Sequence, residues 1–178
     1  MLASENAKTF KDNGVRKVVT HCPHCFNSLK NEYPQFGAQL EVIHHSELLQ
    51  KFIKEGKVFP KHNQEEKIVF HDSCYLGRHN GIYEAPREAL NHAGGQTKEI
   101  EHSRETGTCC GAGGARFLLE ENTGTRMSKH RLDELMVNKP DTIAVSCPFC
   151  VLMLEDAAKT QNLKVQVKDI GEMIQKKT

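Results

Sequence analysis

The chain has 178 residues, 38% of them hydrophobic with 13 glycines besides, an ordinary composition for one large soluble domain or two small ones. It is neither collagen-like nor a disordered tail, and no apolar stretch approaches the roughly 20 residues of a membrane-spanning helix. Lys and Arg number 24 against 23 Asp and Glu, a net charge of +1. That balance removes the electrostatic reason to expect nucleic acid or an anionic membrane as partner.

In chain order, Asn6 to Asn13 predicts a helix and Val18 to Thr20 a strand. Leu40 to Ile43 predicts a second strand, and Ser46, a capping residue before Leu48, Leu49, Phe52 and Ile53, opens a helix to Glu55. Glu55 to Lys67 is polar, carries Gly56 and Pro60, and reads as a linker. Beyond it come a strand at Ile68 to Phe70, helices at Ala85 to His92 and Thr125 to Met136, and a turn-rich loop from Glu101 to Gly114. A strand at Thr142 to Val145, a helix at Val151 to Lys159, a strand at Val165 to Val167 and a helix at Ile170 to Lys176 complete the chain. Strands alternating with helices over short connections predict an α/β fold, a mainly parallel sheet flanked by helices.

The chain also repeats. Shifting residues 16–49 by 125 positions sets them on 141–174 without a gap. Val18-Val19-Thr20-His21-Cys22-Pro23-His24-Cys25 then meets Ile143-Ala144-Val145-Ser146-Cys147-Pro148-Phe149-Cys150, and Ser46-Glu47-Leu48-Leu49 meets Gly171-Glu172-Met173-Ile174. The expectation is a duplicated module with a truncated first copy: residues 1–56 the end of that copy, residues 57–178 a complete second one.

Seven cysteines are too few for a disulfide scaffold, and the number is odd. Met1 to Gly14 is polar throughout, without the apolar core of a signal peptide, so a reducing cytoplasm is the expected compartment and clustered thiols read as metal or redox groups. The second copy holds Cys74, then 34 residues, then Cys109-Cys110, then 36 residues, then Cys147-Pro148-Phe149-Cys150. Proline fits the first helical position, which places Cys147 and Cys150 at a helix N-terminus, where free N–H groups favour thiolates. Adjacent side chains of an extended segment point to opposite faces, so Cys109 and Cys110 need an unusual backbone to grip one group. Gly111-Ala112-Gly113-Gly114 supplies it: positive φ and successive N–H groups forming an anion-binding nest. Zinc takes four ligands in a tetrahedron; five thiolates suit a multi-iron cluster better, with zinc as a substitute once oxygen has destroyed it.

The pattern Cys74…Cys109-Cys110-Gly111…Cys147-Pro148-Phe149-Cys150 resembles the cysteine-rich, double-cysteine-glycine module of the heterodisulfide reductase B subunit and of the iron–sulfur subunits of glycolate and lactate oxidation. His71-Asp72-Ser73-Cys74-Tyr75-Leu76-Gly77-Arg78 and Cys22-Pro23-His24-Cys25-Phe26-Asn27 are similar to segments of bacterial iron–sulfur oxidoreductases that pass electrons from electron-transfer flavoprotein towards menaquinone. The resemblance implies a 4Fe–4S cluster, cubane or non-cubane, on Cys74, Cys109, Cys110, Cys147 and Cys150, wrapped by Gly111, Gly113 and Gly114. It implies a flavoprotein donor and a membrane quinone-reducing partner, with no membrane insertion by this chain itself. Such oxidoreductases also carry a haem-binding membrane region and a ferredoxin-like segment, so the chain is expected to be a C-terminal fragment or a free-standing remnant. Relay and catalytic cluster both remain open, and no catalytic residue is assigned.

Cys22 and Cys25 form an orphan half-site by the repeat, expected to hold no cluster. Cys22-Pro23-His24-Cys25 also matches the active site of thioredoxin-like thiol oxidases, the rival reading, with a zinc-binding docking subunit as the third. Asp72 and Ser73 are expected to cap a following helix, and His71 to be a packed strand-end histidine or a hydrogen-bond partner of a cluster sulfur. Arg78 and Arg116 read as surface arginines or as offsets to cluster charge, and His44-His45 as solvated or adventitiously metallated.

Overall fold

The computed structural model describes residues 1–60, 66–92, 96–119 and 123–176. Helix α1 (Leu2–Asp12) leads into β1 (Lys17–Thr20), a short helix α2 (Pro23–Asn27), β2 (Glu41–His44) and α3 (His45–Lys54). After β3 (Val58–Pro60) come β4 (Lys67–Phe70), α4 (Glu84–His92), β5 (Gln96–Lys98), α5 (Met127–Leu135), β6 (Thr142–Val145), α6 (Pro148–Thr160), β7 (Gln166–Asp169) and β8 (Ile174–Lys176). The strands form a four-stranded parallel sheet in the order β5-β4-β6-β7, a parallel pair β1-β2 and an antiparallel pair β3-β8. The α/β class with parallel sheets flanked by helices is the one expected.

The two central strands read as unbroken apolar runs because both of their faces are covered. Val69, Ile143 and Val145 point to one side, into a core with Leu132 and Leu135 of α5 and Met153 and Leu154 of α6. Ile68, Phe70 and Ala144 point to the other, onto Leu90 of α4, Ile170, Met173 and the half-buried Leu49 of α3. The period-two alternation of the pleat thus sorts each strand between two helical layers. Lys17 lies opposite Glu41 in the β1-β2 pair and Thr142 opposite Gln166 in the β6-β7 pair, so both pairs keep one register at the 125-residue offset. Beyond the proline turns the stretches diverge: α6 runs for 13 residues, whereas α2 gives way to a π turn at Ser28–Glu32 and a 3-10 turn at Tyr33–Phe36, closed by Gly37 at φ 84°.

Four expectations are corrected. Ile170–Lys176 is not a helix: a capping box between Asp169 and Glu172 starts a 3-10 turn, after which Ile174–Lys176 is drawn into antiparallel pairing with Val58–Pro60. That pairing also puts a strand inside the stretch read as a linker, whose residues 61–65 lie outside the described residues. Asp72 and Ser73 cap no helix, because the chain from Cys74 to Asn80 runs in turns and α4 begins at Glu84. Ser46 is not the cap of α3; His44 is, its ring accepting from the Ser46 N–H while Glu47 bonds the His44 N–H.

Candidate metal centre at the carboxyl edge of the sheet

Parallel pairing sets the carboxyl ends of β4 and β6 side by side, and the His71 N–H extends their ladder by one rung to the Ala144 carbonyl at 2.9 Å. Open parallel sheets place ligands at this edge. Cys74 follows β4 by four residues. Cys147 follows β6 and is the N-cap of α6, with Pro148 in the first turn and Cys150 just beyond. The loop between β5 and α5 brings Cys109 and Cys110 to the same edge, where Cys110 packs with Cys147 and Cys150 in the core. The structure therefore gathers all five sequence-predicted thiols. The Cys150 and Cys110 sulfurs are 3.3 Å apart, and Cys109 lies close enough to Cys74 and Cys110, and Cys147 to Cys150, for each to shift the other's titration. Cys110, Cys147 and Cys150 are buried, while Cys74 and Cys109 are half-buried and form the outer end of the chain of sulfurs.

Backbone donors feed this chain. The Gly111 N–H reaches Cys109 Sγ at 3.3 Å, and the Ala112 N–H beside Cys110 and the Phe149 and Cys150 N–H groups beside Cys147 favour the thiolate forms. Hydrogen bonds from Cys110 and Cys74 hold the Cys109 thiol far below its ordinary value, and those from Cys150 and His24 lower Cys147 against the upward push of burial. Their partners move the other way: Cys74 and Cys110 are pushed up chiefly by Cys109, and Cys150 by Cys110 and Cys147. The thiols thus titrate as a coupled group, with Cys109 and Cys147 the thiolates and their neighbours the proton holders, and a bound cation would displace those protons.

The glycines divide. Gly111 sits at φ 88°, and a Cβ there would lie 3.0 Å from the Met127 Cβ at the start of α5, so this position needs glycine twice over. Gly114, at φ 65°, needs it for conformation alone. Gly113 is corrected: it is not among the positive-φ glycines, and among the described residues a side chain there would meet open space.

Around the sulfurs lies a buried polar frame. Asp72 takes a bidentate pair from Arg87 at 2.7 and 2.8 Å and accepts the Arg104 N–H at 2.7 Å, while Arg87 also bonds Glu99. Asp72 thus ties the Cys74 turn to the loop that carries Cys109. Arg131 is fully buried and binds Glu134 Oε2 (2.7 Å), the His102 carbonyl (2.9 Å) and His71 Nδ1 (3.0 Å). Sequence reasoning passed over Arg131, although Ser128, Arg131, Leu132 and Leu135 form the buried stripe of α5, and a charge on such a stripe is a signal. His71 Nε2, Ser73 Oγ, Ser128 Oγ and Ser146 Oγ are buried without a hydrogen-bond partner among the described residues. Orphan donors beside five thiols fit a sulfur-rich anion. Arg78 is exposed, bonds the Gly107 carbonyl at 3.0 Å and lowers Cys74 by its charge; Arg116 is exposed.

The orphan pair is less remote than the sequence suggested. His24 edges onto Phe149, its counterpart in the repeat, at 5.4 Å, and lies 4.2 Å from the ring of Tyr75. Its hydrogen bond to Cys147, then that to Cys22, raises it to about 9. For dithiol exchange the attacking thiolate must be reachable. Here Cys22, held low by His24 against burial, is buried, and the exposed Cys25 is pushed up by burial of its thiol and the Cys22 charge. His44 is not solvated: it is wholly buried, and burial takes its ring down to about 3, while His45 bonds Asp169 at 2.9 Å.

Comparison with known proteins decides the family. The model of the cysteine-rich domain matches residues 1–30 and 68–155. The chain belongs to the cysteine-rich domain family. Over 97% of its length it is 47% identical to "Probable iron-sulfur-binding oxidoreductase FadF" of Bacillus subtilis, covering 25% of that protein. It is 44% identical over 98% of its length to "EtfAB:quinone oxidoreductase" of Syntrophomonas wolfei, covering 26%. It is 31% identical over 95% of its length to a component of the dihydromethanophenazine:CoB--CoM heterodisulfide reductase of Methanosarcina acetivorans, covering 42% of that component. The chain thus spans about a quarter of the first two relatives. Among the described residues no helix is long and apolar enough to cross a membrane.

Proposed function

We propose that this chain is the iron–sulfur part of an oxidoreductase, holding a 4Fe–4S cluster on Cys74, Cys109, Cys110, Cys147 and Cys150 and passing electrons through it. The observation that supports this best is the gathering of five thiols at one sheet edge, with the Cys110 and Cys150 sulfurs 3.3 Å apart and the Gly111 N–H on Cys109. Bound there, the cluster supplies one-electron redox chemistry. The chain's own residues do the rest. The five thiolates would hold the irons, the Gly111, Ala112, Phe149 and Cys150 N–H groups would offset sulfur charge, and the packing of α5 and α6 keeps water from the inner sulfurs. The half-buried Cys74 and Cys109 mark the side on which a redox partner or substrate approaches. Access of a substrate, and not only of a redox partner, to that side would separate a reductase centre from a relay. The relatives' names support a quinone-reducing or heterodisulfide-reducing assembly, and one of them a membrane-anchored one, as the setting; within it we take a flavoprotein as the donor, with any membrane attachment made through the partners. We also propose the division into residues 1–56 and 57–178, with the five-thiol site wholly in the second.

Anaerobic purification followed by iron, sulfide and zinc analysis tests the reading, with EPR before and after oxidation. Near-equal iron and sulfide, both reduced in Cys110→Ser, is expected. Zinc alone in protein made and kept without oxygen, or an unchanged cluster in Cys110→Ser, would overturn it.

A further inference from the structure

His71 is where the sulfur site meets the polar frame. A ring nitrogen of His71 and the sulfurs of Cys110 and Cys150 lie within 4.8 Å of one another, all three residues buried, an arrangement that looks like a metal triad. The other side of the ring argues otherwise. Nδ1 faces Arg131 Nε at 3.0 Å. A guanidinium can only donate, so Nδ1 must present its lone pair. With Nδ1 bare, the ring carries one proton and is neutral. The single ring proton therefore sits on Nε2, the nitrogen that Arg131 does not engage, and a protonated nitrogen has no lone pair for a metal. That Nε2–H is buried with no partner among the described residues. An orphan donor of this kind costs about 1–3 kcal/mol unless something accepts from it.

We propose that His71 is an N–H donor to a sulfur of the bound cluster, not a ligand to it, and that Arg131 is the positioning residue that fixes its tautomer. Arg131 has little freedom to do otherwise: it is fully buried and pinned by Glu134 and the His102 carbonyl. The inference rests on the cluster reading above. A hydrogen bond to sulfur stabilises the more negative, reduced cluster, so the donor holds the reduction potential up.

Two measurements test it. In metal-free protein labelled with 15N-histidine, the His71 ring should show the Nε2–H tautomer by NMR; the Nδ1–H tautomer, or an averaging pair, would overturn the proposal whether or not a cluster forms. In reconstituted protein, His71→Leu should keep the parent's iron and sulfide while its reduction equilibrium constant falls at least tenfold, which is about 59 mV for one electron. His71→Gln, which keeps an N–H at a similar reach, should restore most of that loss. An unchanged potential in His71→Leu, or loss of iron from a variant whose circular dichroism matches the parent, would overturn the donor role, the second outcome by making His71 a ligand. Failure of the parent itself to take up iron and sulfide would count against the cluster reading, leaving the tautomer measurement to judge His71.

Discussion

Gly111→Ala tests how the double cysteine is held. The new Cβ would sit 3.0 Å from the Met127 Cβ and 3.5 Å from the Ser128 nitrogen, on a backbone at φ 88°. The left-handed conformation costs an alanine about 1–2 kcal/mol, and crowding of a packed contact about 1–3 kcal/mol. Together these give a loss of about 2–5 kcal/mol, or roughly 4–20 °C in Tm for a chain of this size. Gly113→Ala is the internal control: two residues away, with ordinary φ and open space, it should stay within about 0.5 kcal/mol of the parent. Urea unfolding of the metal-free proteins measures both. Because the Gly111 N–H bonds Cys109 Sγ, relaxation at residue 111 swings that donor away, and iron per protein after anaerobic reconstitution should fall in Gly111→Ala alone. Equal unfolding midpoints and equal iron in the two variants would refute the claim that this backbone aims the adjacent thiols.

Asp72→Asn should cost about 1.5–3 kcal/mol, since it replaces the charged, bidentate partner of the buried Arg87 with a neutral one and leaves Glu99 as the carboxylate on that guanidinium. Although burial pushes the Asp72 carboxyl up, Arg87 and the Arg104 N–H hold it below the ordinary range. Its contribution is therefore complete above the unfolded value near 3.9 and is lost as pH falls through the lower folded value. Urea midpoints of the parent should decline over that acid window, and those of Asp72→Asn should decline less; parallel acid limbs would contradict the assignment. His24→Gln removes the donor shared by Cys147 and Cys22, so ultraviolet titration of metal-free protein should show thiolate forming at higher pH than in the parent, and an unchanged profile would show that His24 does not set it. The Cys22→Ser, Cys25→Ser double variant should retain the parent's iron; losing about half would mean a second cluster forms at that pair.

How much of this was legible in the sequence follows from the range of the forces involved. The runs Ile68-Val69-Phe70 and Ile143-Ala144-Val145, apolar without a break, announce strands buried on both faces, and Pro148 after Cys147 announces a helix start; both depend only on near neighbours. The spacing of the five cysteines, read with the glycines after the double cysteine, pointed to one site. The 125-residue offset predicts the same elements in both stretches; the two strand pairs keep one register, but the second helix does not recur. Ser46 lies in the first turn of a true helix, whereas its counterpart Gly171 lies in a 3-10 turn, because β3 offers the chain beyond it a pairing partner that local sequence does not reveal.

What only the tertiary structure decided concerns residues whose partners lie far away in sequence. Asp72 looked like a cap because capping is the local use of aspartate; Arg87 and the Arg104 N–H, 15 and 32 residues on, claim it instead. Gly111 and Gly113 look alike on paper and differ because the start of α5 approaches the first, whereas none of the described residues approaches the second. His71 and Arg131 are 60 residues apart, and neither alone says which ring nitrogen carries the proton. The sequence determined which residue types the chain could bring to the site. Packing of β4 against β6, and of α5 behind the double cysteine, decided their geometry, because a hydrogen bond acts over about 3 Å of space without regard to distance along the chain.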